Sequence, residues 1–148
     1  MNAKVRFLFF VVLFLASSLA SAAFPNLKLP FPDGEAWTMT RGYNSAPTHI
    51  NWGGKYSDDK YALDFAFGNC DQTYGKTVLA AASGTVVTIS RTEKQTPDAA
   101  LKYGNSIVID HGGGYYTRYA HMKSIEASVA REGAPVNQGQ KIGQAGGT

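Results

Sequence analysis

Hydrophobic positions along this chain fall in short clusters separated by glycine, asparagine and serine, and no cluster sustains a long helical period. The strongest signal is residues 104–122, GNSIVIDHGGGYYTRYAHM, which read as two strands joined by a glycine turn. Ile107, Val108 and Ile109 supply β-branched residues on the first arm, and Tyr115, Tyr116, Thr117 and Tyr119 supply aromatic and β-branched residues on the second. Gly112, Gly113 and Gly114 permit the positive φ values of a tight reversal. Of the three histidines in the chain, His111 and His121 flank this hairpin. A strand fixes an imidazole more closely than a loop does.

The same reading predicts a short strand at Trp37–Thr40 and an apolar strand at Tyr61–Phe67. It predicts two further strands between Val78 and Ile89, hinged at Ser83-Gly84. Residues 91–102 read as a polar surface excursion with one helical turn at 98–102. Ser124 to Arg131 reads as a short amphipathic piece, and Gly133 to Gly143 as a turn, a strand and another turn. Pro25, Pro30 and Pro32 make residues 23–36 an extended leader. Residues 41–60 form a long polar loop carrying Trp52 and the third histidine, His49; loops of this length are commonly functional. The expected fold is all-β, a single domain of antiparallel sheets with glycine-rich hairpins. The ending Gly146-Gly147-Thr148 reads as a turn that leaves sheet edges unpaired, so closing strands are expected to be missing.

Composition changes the picture at the N-terminus. Lys4 and Arg6 precede a nearly unbroken apolar run, Phe7 to Ala16, and Ala20-Ser21-Ala22 offers a small-residue cleavage site. Residues 1–22 are therefore expected to be a secretory signal peptide, giving a secreted or periplasmic protein with no stable membrane span after cleavage. The competing reading is an uncleaved anchor; no lipidation cysteine follows the apolar run. Removing Lys4 and Arg6 lowers the formal charge of +3 to about +1. With no basic cluster either, nucleic acid is not an expected partner. Cys70 is the only cysteine, which excludes an intrachain disulfide and leaves either a small semi-buried thiol or a partner outside this chain.

Candidate chemistry begins with Asp64, a carboxylate among Leu63, Phe65 and Phe67. Such a group is costly to bury unless paired or bound to a metal, although strand alternation also permits it to face solvent. A catalytic zinc takes three protein ligands, often histidines with a carboxylate, and leaves one position open. His49, Asp64 and His121 are of the right types, but spacing alone does not bring them together, and a lone histidine in a β domain is more often hydrogen-bonded or at the surface.

The order of several pieces adds weight. YALDF at 61–65, TVLAA at 77–81 with GTV at 84–86, YGNSIVIDHG at 103–112, TRYAH at 117–121 and VNQGQKIG at 136–143 resemble, in sequence and spacing, the lysostaphin-type (LytM-like) zinc endopeptidases. The resemblance runs from about Trp37 to the last residue, making 37–148 the peptidase domain. It implies that Asp64 is a zinc ligand, that His49 is the upstream histidine ligand, and that His121 is a non-ligand catalytic histidine. His111 matches a position that is often histidine without being essential and is read as structural; Asn44 is a further polar residue lining the site. It implies one Zn2+ per complete domain, peptidoglycan peptides as substrate, and hydrolysis of peptide bonds in the cell wall.

Two departures from the family pattern stand out. Many relatives place the first histidine four residues before the aspartate, where this chain has Lys60; His49 lies fifteen residues before it, as in the beta-lytic subgroup. The family's closing His-x-His motif, which supplies the remaining ligand and a second catalytic histidine, is absent from residues 1–148. The 148-residue chain is therefore expected to bind zinc weakly and to be inactive, while the full-length gene product is an active hydrolase. Lys60 also favours an alternative, a non-catalytic LytM-like module that binds peptidoglycan or regulates a cell-wall hydrolase. A biotinyl- or lipoyl-like carrier, suggested by residues 84–86 and 138–143, lacks the lysine-bearing turn. A plain secreted β domain is the remaining reading.

Overall fold

The computed structural model describes residues 23–50, 59–91 and 103–146. The expected signal peptide, Trp52 and the turn at 98–102 lie outside the described residues. Nine strands run in chain order: β1 Thr38–Arg41, β2 Asp64–Ala66, β3 Thr77–Leu79, β4 Gly84–Ser90, β5 Ser106–Asp110, β6 Tyr116–Tyr119, β7 Met122–Ile125, β8 Pro135–Val136 and β9 Lys141–Ala145. One short helical turn, Cys70–Thr73, and two 3-10 turns, Asp59–Tyr61 and Ala127–Val129, complete the described elements. All strand pairs are antiparallel, so the all-β expectation holds. Among the described residues, no helix is long and apolar enough to cross a membrane.

The strands form three sheets: β1-β2, β3-β9-β7 and β6-β5-β4-β8. Strand β5 lies inside the last of these, and Ser106, Ile107, Val108 and Ile109 are all buried. Its uninterrupted β-branched run is what a strand covered on both faces requires. Val86 from β4, Ile107 and Ile109 from β5, Met122 from β7, Val136 from β8 and Ile142 from β9 meet in one core cluster. Each such side chain contributes about 1.5–3 kcal/mol through removal of apolar surface from water. Tyr119 brings the only hydroxyl into this cluster, and that oxygen accepts the Ala81 N–H at 2.7 Å. Burial raises the phenol's pKa, so it remains neutral.

The hairpin of β5 and β6 forms in the expected place. Asp110 pairs with Tyr116, and the glycines between them have φ of +82°, +62° and +85°. The Asp110 carboxylate accepts the Gly112 N–H at 2.7 Å, closing the turn. Strand β6 ends at Tyr119, however. His121 lies beyond it with φ of +53°, at the corner where the chain leaves the four-stranded sheet and enters β7 of the three-stranded one. The arm on which His121 was expected is therefore shorter than its sequence suggests.

Two other segments differ from expectation. Ser124 and Ile125, read as the start of an amphipathic piece running to Arg131, belong to strand β7 with Met122 and Lys123, and only Ala127–Val129 turns as a helix. Residues 141–145, read as ending in a turn, form β9, the middle strand of its sheet. Gly143 gave the turn signal, yet its function is close approach: a Cβ there lies 2.1 Å from the Ser124 carbonyl oxygen and 2.4 Å from Met122 Cε. The residues of the 23–36 stretch lie along β3, with Lys28 N–H donating to Ala81 O and Leu79 N–H to Pro30 O, each at 2.9 Å. Phe31 stacks on Trp37 at 4.1 Å and meets the edge of Phe65 at 4.9 Å.

Gly143→Ala must push β9 away from a backbone carbonyl rather than a movable side chain. It is expected to lower stability by about 2–3 kcal/mol, measured by urea denaturation.

Candidate metal centre

Strands β1 and β2 pair with Arg41 opposite Asp64, and the register shifts between Met39 and Arg41. The chain thus leaves β1 beside the aspartate, and residues 42–49 fold back toward it. Asn44 adopts φ of +53°, a conformation asparagine tolerates better than most residues. Its N–H donates to Lys60 O at 2.7 Å, tying this loop to the 3-10 turn ahead of β2. Ser45 Oγ donates to Gly42 O at 2.8 Å, His49 N–H donates to Ser45 O at 3.0 Å, and Arg41 donates to Thr48 Oγ1.

This loop buries His49, which is 4% exposed. Its Nδ1 lies 2.8 Å from Gly42 O, an atom that can only accept, so Nδ1 carries the proton. Its Nε2 faces Asp64 Oδ1 at 3.2 Å. In the neutral ring, a nitrogen lone pair and a carboxylate oxygen then confront one another, and a cation between them resolves the conflict. A proton serves, and so does a divalent metal that takes imidazole and carboxylate ligands, of which zinc is the prime example. A histidine ligand whose second nitrogen donates to a backbone carbonyl is the arrangement such metals require.

Asp64 takes the solvent-facing place that strand alternation permits. Its side chain is 52% exposed, Leu63 is also exposed, and Phe65 and Phe67 are half-buried. The desolvated member of the pair is His49, whose polar loop gave no hydropathy signal.

His121 lies at the corner between β6 and β7. Its N–H donates to Tyr103 O at 2.8 Å and its carbonyl accepts Gly146 N–H at 2.9 Å, so the strained corner is held at both ends. Desolvation lowers the imidazole pKa, opposed first by the Asp64 carboxylate and then by Asp59. The structure thus sets His49 against Asp64, with His121 close enough to feel the Asp64 carboxylate, and Asn44 ties the loop to Lys60 through its backbone N–H. His111 stands apart at the turn end of the hairpin, with Nδ1 2.8 Å from Ser83 O and Nε2 2.8 Å from Thr117 Oγ1. Lys60, at the common ligand position, extends its ammonium over the Tyr61 ring at 4.8 Å. Among the described residues, no three His, Cys, Asp or Glu side chains converge as a metal-binding group. Sequence reading gave no role to Asp59, which carries no motif, or to Arg118, which lies within TRYAH at 117–121; both contact Tyr103, whose carbonyl accepts the His121 N–H.

The chain belongs to Peptidase family M23, whose profile matches residues 63–148. This agrees with the lysostaphin-type resemblance of its motifs. A 45-residue stretch is 44% identical to the peptidoglycan DD-endopeptidase ShyA of Vibrio cholerae serotype O1, covering 30% of this chain and 10% of that protein. The fold resembles a zinc-containing peptidase from Vibrio cholerae, with a TM-score of 0.56 and 25% identity over 84% of this chain and 33% of that one. It also resembles a peptidase M23 structure from Pseudomonas aeruginosa, at a TM-score of 0.50 and 22% identity over 85% of this chain and 41% of that one, a likeness of fold alone. The chain therefore spans about a tenth of the curated relative and a third of the Vibrio cholerae structure.

Because His111 uses both ring nitrogens within the hairpin, His111→Ala is expected to lower stability by about 1–2 kcal/mol in thermal or urea melts. Zinc uptake, followed by calorimetry, is expected to be unchanged.

Proposed function

We propose that this chain is part of an exported, zinc-dependent endopeptidase that hydrolyses peptide bonds in peptidoglycan, with residues 1–22 as its signal peptide. The observation that carries this reading is the His49–Asp64 pair: Nε2 and Oδ1 lie 3.2 Å apart while Nδ1 is committed to Gly42 O. Membership of Peptidase family M23 and the similarity to a peptidoglycan DD-endopeptidase support the substrate class.

On this reading His49 Nε2 and Asp64 hold the metal. Zinc bound there lowers the pKa of a water and polarises the scissile carbonyl. His121 assists by taking up and returning protons and by donating to the developing oxyanion. Desolvation favours its neutral form, which is the form able to accept a proton. The Gly42 carbonyl keeps His49 in the ligating tautomer throughout.

Residues 1–148 contain three histidines, and both ring nitrogens of His111 are occupied. With His121 reserved for proton transfer, two ligands remain where a catalytic zinc takes three. The candidate ligands thus number two, and residues 1–148 alone are expected to bind zinc weakly. A second reading, a non-catalytic module that binds peptidoglycan, draws support from Lys60 at the common ligand position and its engagement with Tyr61.

The test is zinc binding and digestion of cross-linked peptidoglycan peptides by the full-length protein and by residues 1–148. The full-length protein is expected to hold one zinc and to cleave. His49→Ala and Asp64→Asn are expected to lose the metal, and His121→Ala to keep it while losing activity by on the order of a hundredfold or more. Residues 1–148 are expected to bind zinc weakly and not to cleave. Stoichiometric zinc with cleavage by residues 1–148 would sink the ligand count. A full-length protein that binds peptidoglycan without cleaving it would favour the second reading.

A further inference from the structure

A half-buried polar cluster lies between the two parts of the site. Tyr103 Oη is 2.8 Å from Oδ1 and 2.8 Å from Oδ2 of Asp59, residues 44 positions apart in sequence. The Arg118 guanidinium lies 3.9 Å from the centre of the Tyr103 ring. Burial first, and then the hydrogen bond to Asp59, push the phenol's pKa far above its ordinary value, so Tyr103 stays protonated and donates. Burial also lowers the pKa of Arg118, which remains charged. A carboxylate, a phenol and a guanidinium removed from water here stabilise the fold no better than apolar residues of similar volume. Their value lies in directionality.

The connections run to both halves of the site. On one side, the Tyr103 carbonyl accepts the His121 N–H at 2.8 Å. On the other, Asp59 opens the 3-10 turn Asp59–Tyr61, which leads directly into Asp64. The middle residue of that turn, Lys60, offers its carbonyl to Asn44 N–H at 2.7 Å, on the loop that carries His49. A continuous path of hydrogen bonds and short covalent steps thus joins His121 to both candidate ligands, and Tyr103 is its centre.

We infer that Asp59, Tyr103 and Arg118 are positioning residues, a brace that fixes His121 relative to the His49–Asp64 pair. This rests on the reading of His121 as the proton-handling group. Asp59 accepts the phenol and thereby sets how far the β2 side stands from the hairpin. Arg118 covers the ring and prevents it from rotating away. The Tyr103 backbone transmits that placement to the His121 corner. None of the three is a candidate ligand, so on this reading removal of the brace displaces His121 without removing a ligand.

The test uses the full-length zinc-loaded protein and reads zinc content, steady-state kinetics on peptidoglycan peptides, and the long-range 1H–15N spectrum of the His121 ring. Tyr103→Phe keeps the ring for Arg118 and deletes the hydroxyl. It is expected to retain zinc, to lose about tenfold or more in kcat with KM within about twofold, and to shift or broaden the His121 ring signals. Asp59→Ala is expected to behave alike, while Asp59→Asn, which keeps an acceptor oxygen, is expected to restore kcat to within about threefold of the parent. Should Tyr103→Phe fail to fold, the comparison of Asp59→Asn with Asp59→Ala decides the matter alone. Unchanged kcat and unchanged His121 signals in a zinc-replete Tyr103→Phe would overturn the brace. So would loss of zinc in step with activity, or an Asp59→Asn variant as impaired as Asp59→Ala. Zinc retained by His49→Ala or Asp64→Asn would instead defeat the functional reading, an outcome separate from these.

Discussion

The carbonyl oxygen of Gly42 accepts from both the His49 ring and the Ser45 hydroxyl, and the chemistry of the centre descends from that double contact. A carbonyl has no proton to give, so it determines which imidazole nitrogen carries the hydrogen and which is left bare. Everything around it serves to keep the oxygen in place. The bulge in β1 turns the chain, Asn44 takes a left-handed conformation, and a hydrogen bond to Lys60 closes the loop against the turn ahead of Asp64. A loop of this kind would be a poor mount for a ligand without such anchors, because its backbone has few apolar contacts to hold it.

The hairpin contributes rigidity of another kind. Strand β5 is buried from Ser106 to Ile109, and the Tyr119 hydroxyl fastens β6 to Ala81 in the depth of the core. His121 therefore extends from the sheet with the most buried strand, while Asp64 lies on the two-stranded sheet β1-β2 and His49 on the loop that follows β1. Preorganisation of the centre depends on contacts that cross between these two parts.

How much of this was legible in the sequence follows from the range of each signal. The β5–β6 hairpin was readable because β-branched runs and a glycine triplet are local and mutually consistent. Strand β7 was not: Met122–Ile125 has four residues, too few to separate a period of two from a helical one. Strand β9 was obscured by Gly143, because a glycine that admits a neighbouring carbonyl looks, in sequence, like one that makes a turn. Asp64 faces solvent as strand alternation permits, while the buried group is His49, whose environment is assembled from residues that are individually polar. Asp59 and Tyr103 meet across 44 positions, a distance over which hydrophobic patterning carries no information.

His121 holds φ of +53° at the corner between two sheets, a conformation that costs an L-residue roughly 1–2 kcal/mol relative to glycine. For stability alone, glycine or asparagine is the better occupant of that corner. With histidine in that place, the corner stores backbone strain between the two sheets. The corner thus offers a ready single-residue route to a firmer fold, by replacement of that histidine with glycine.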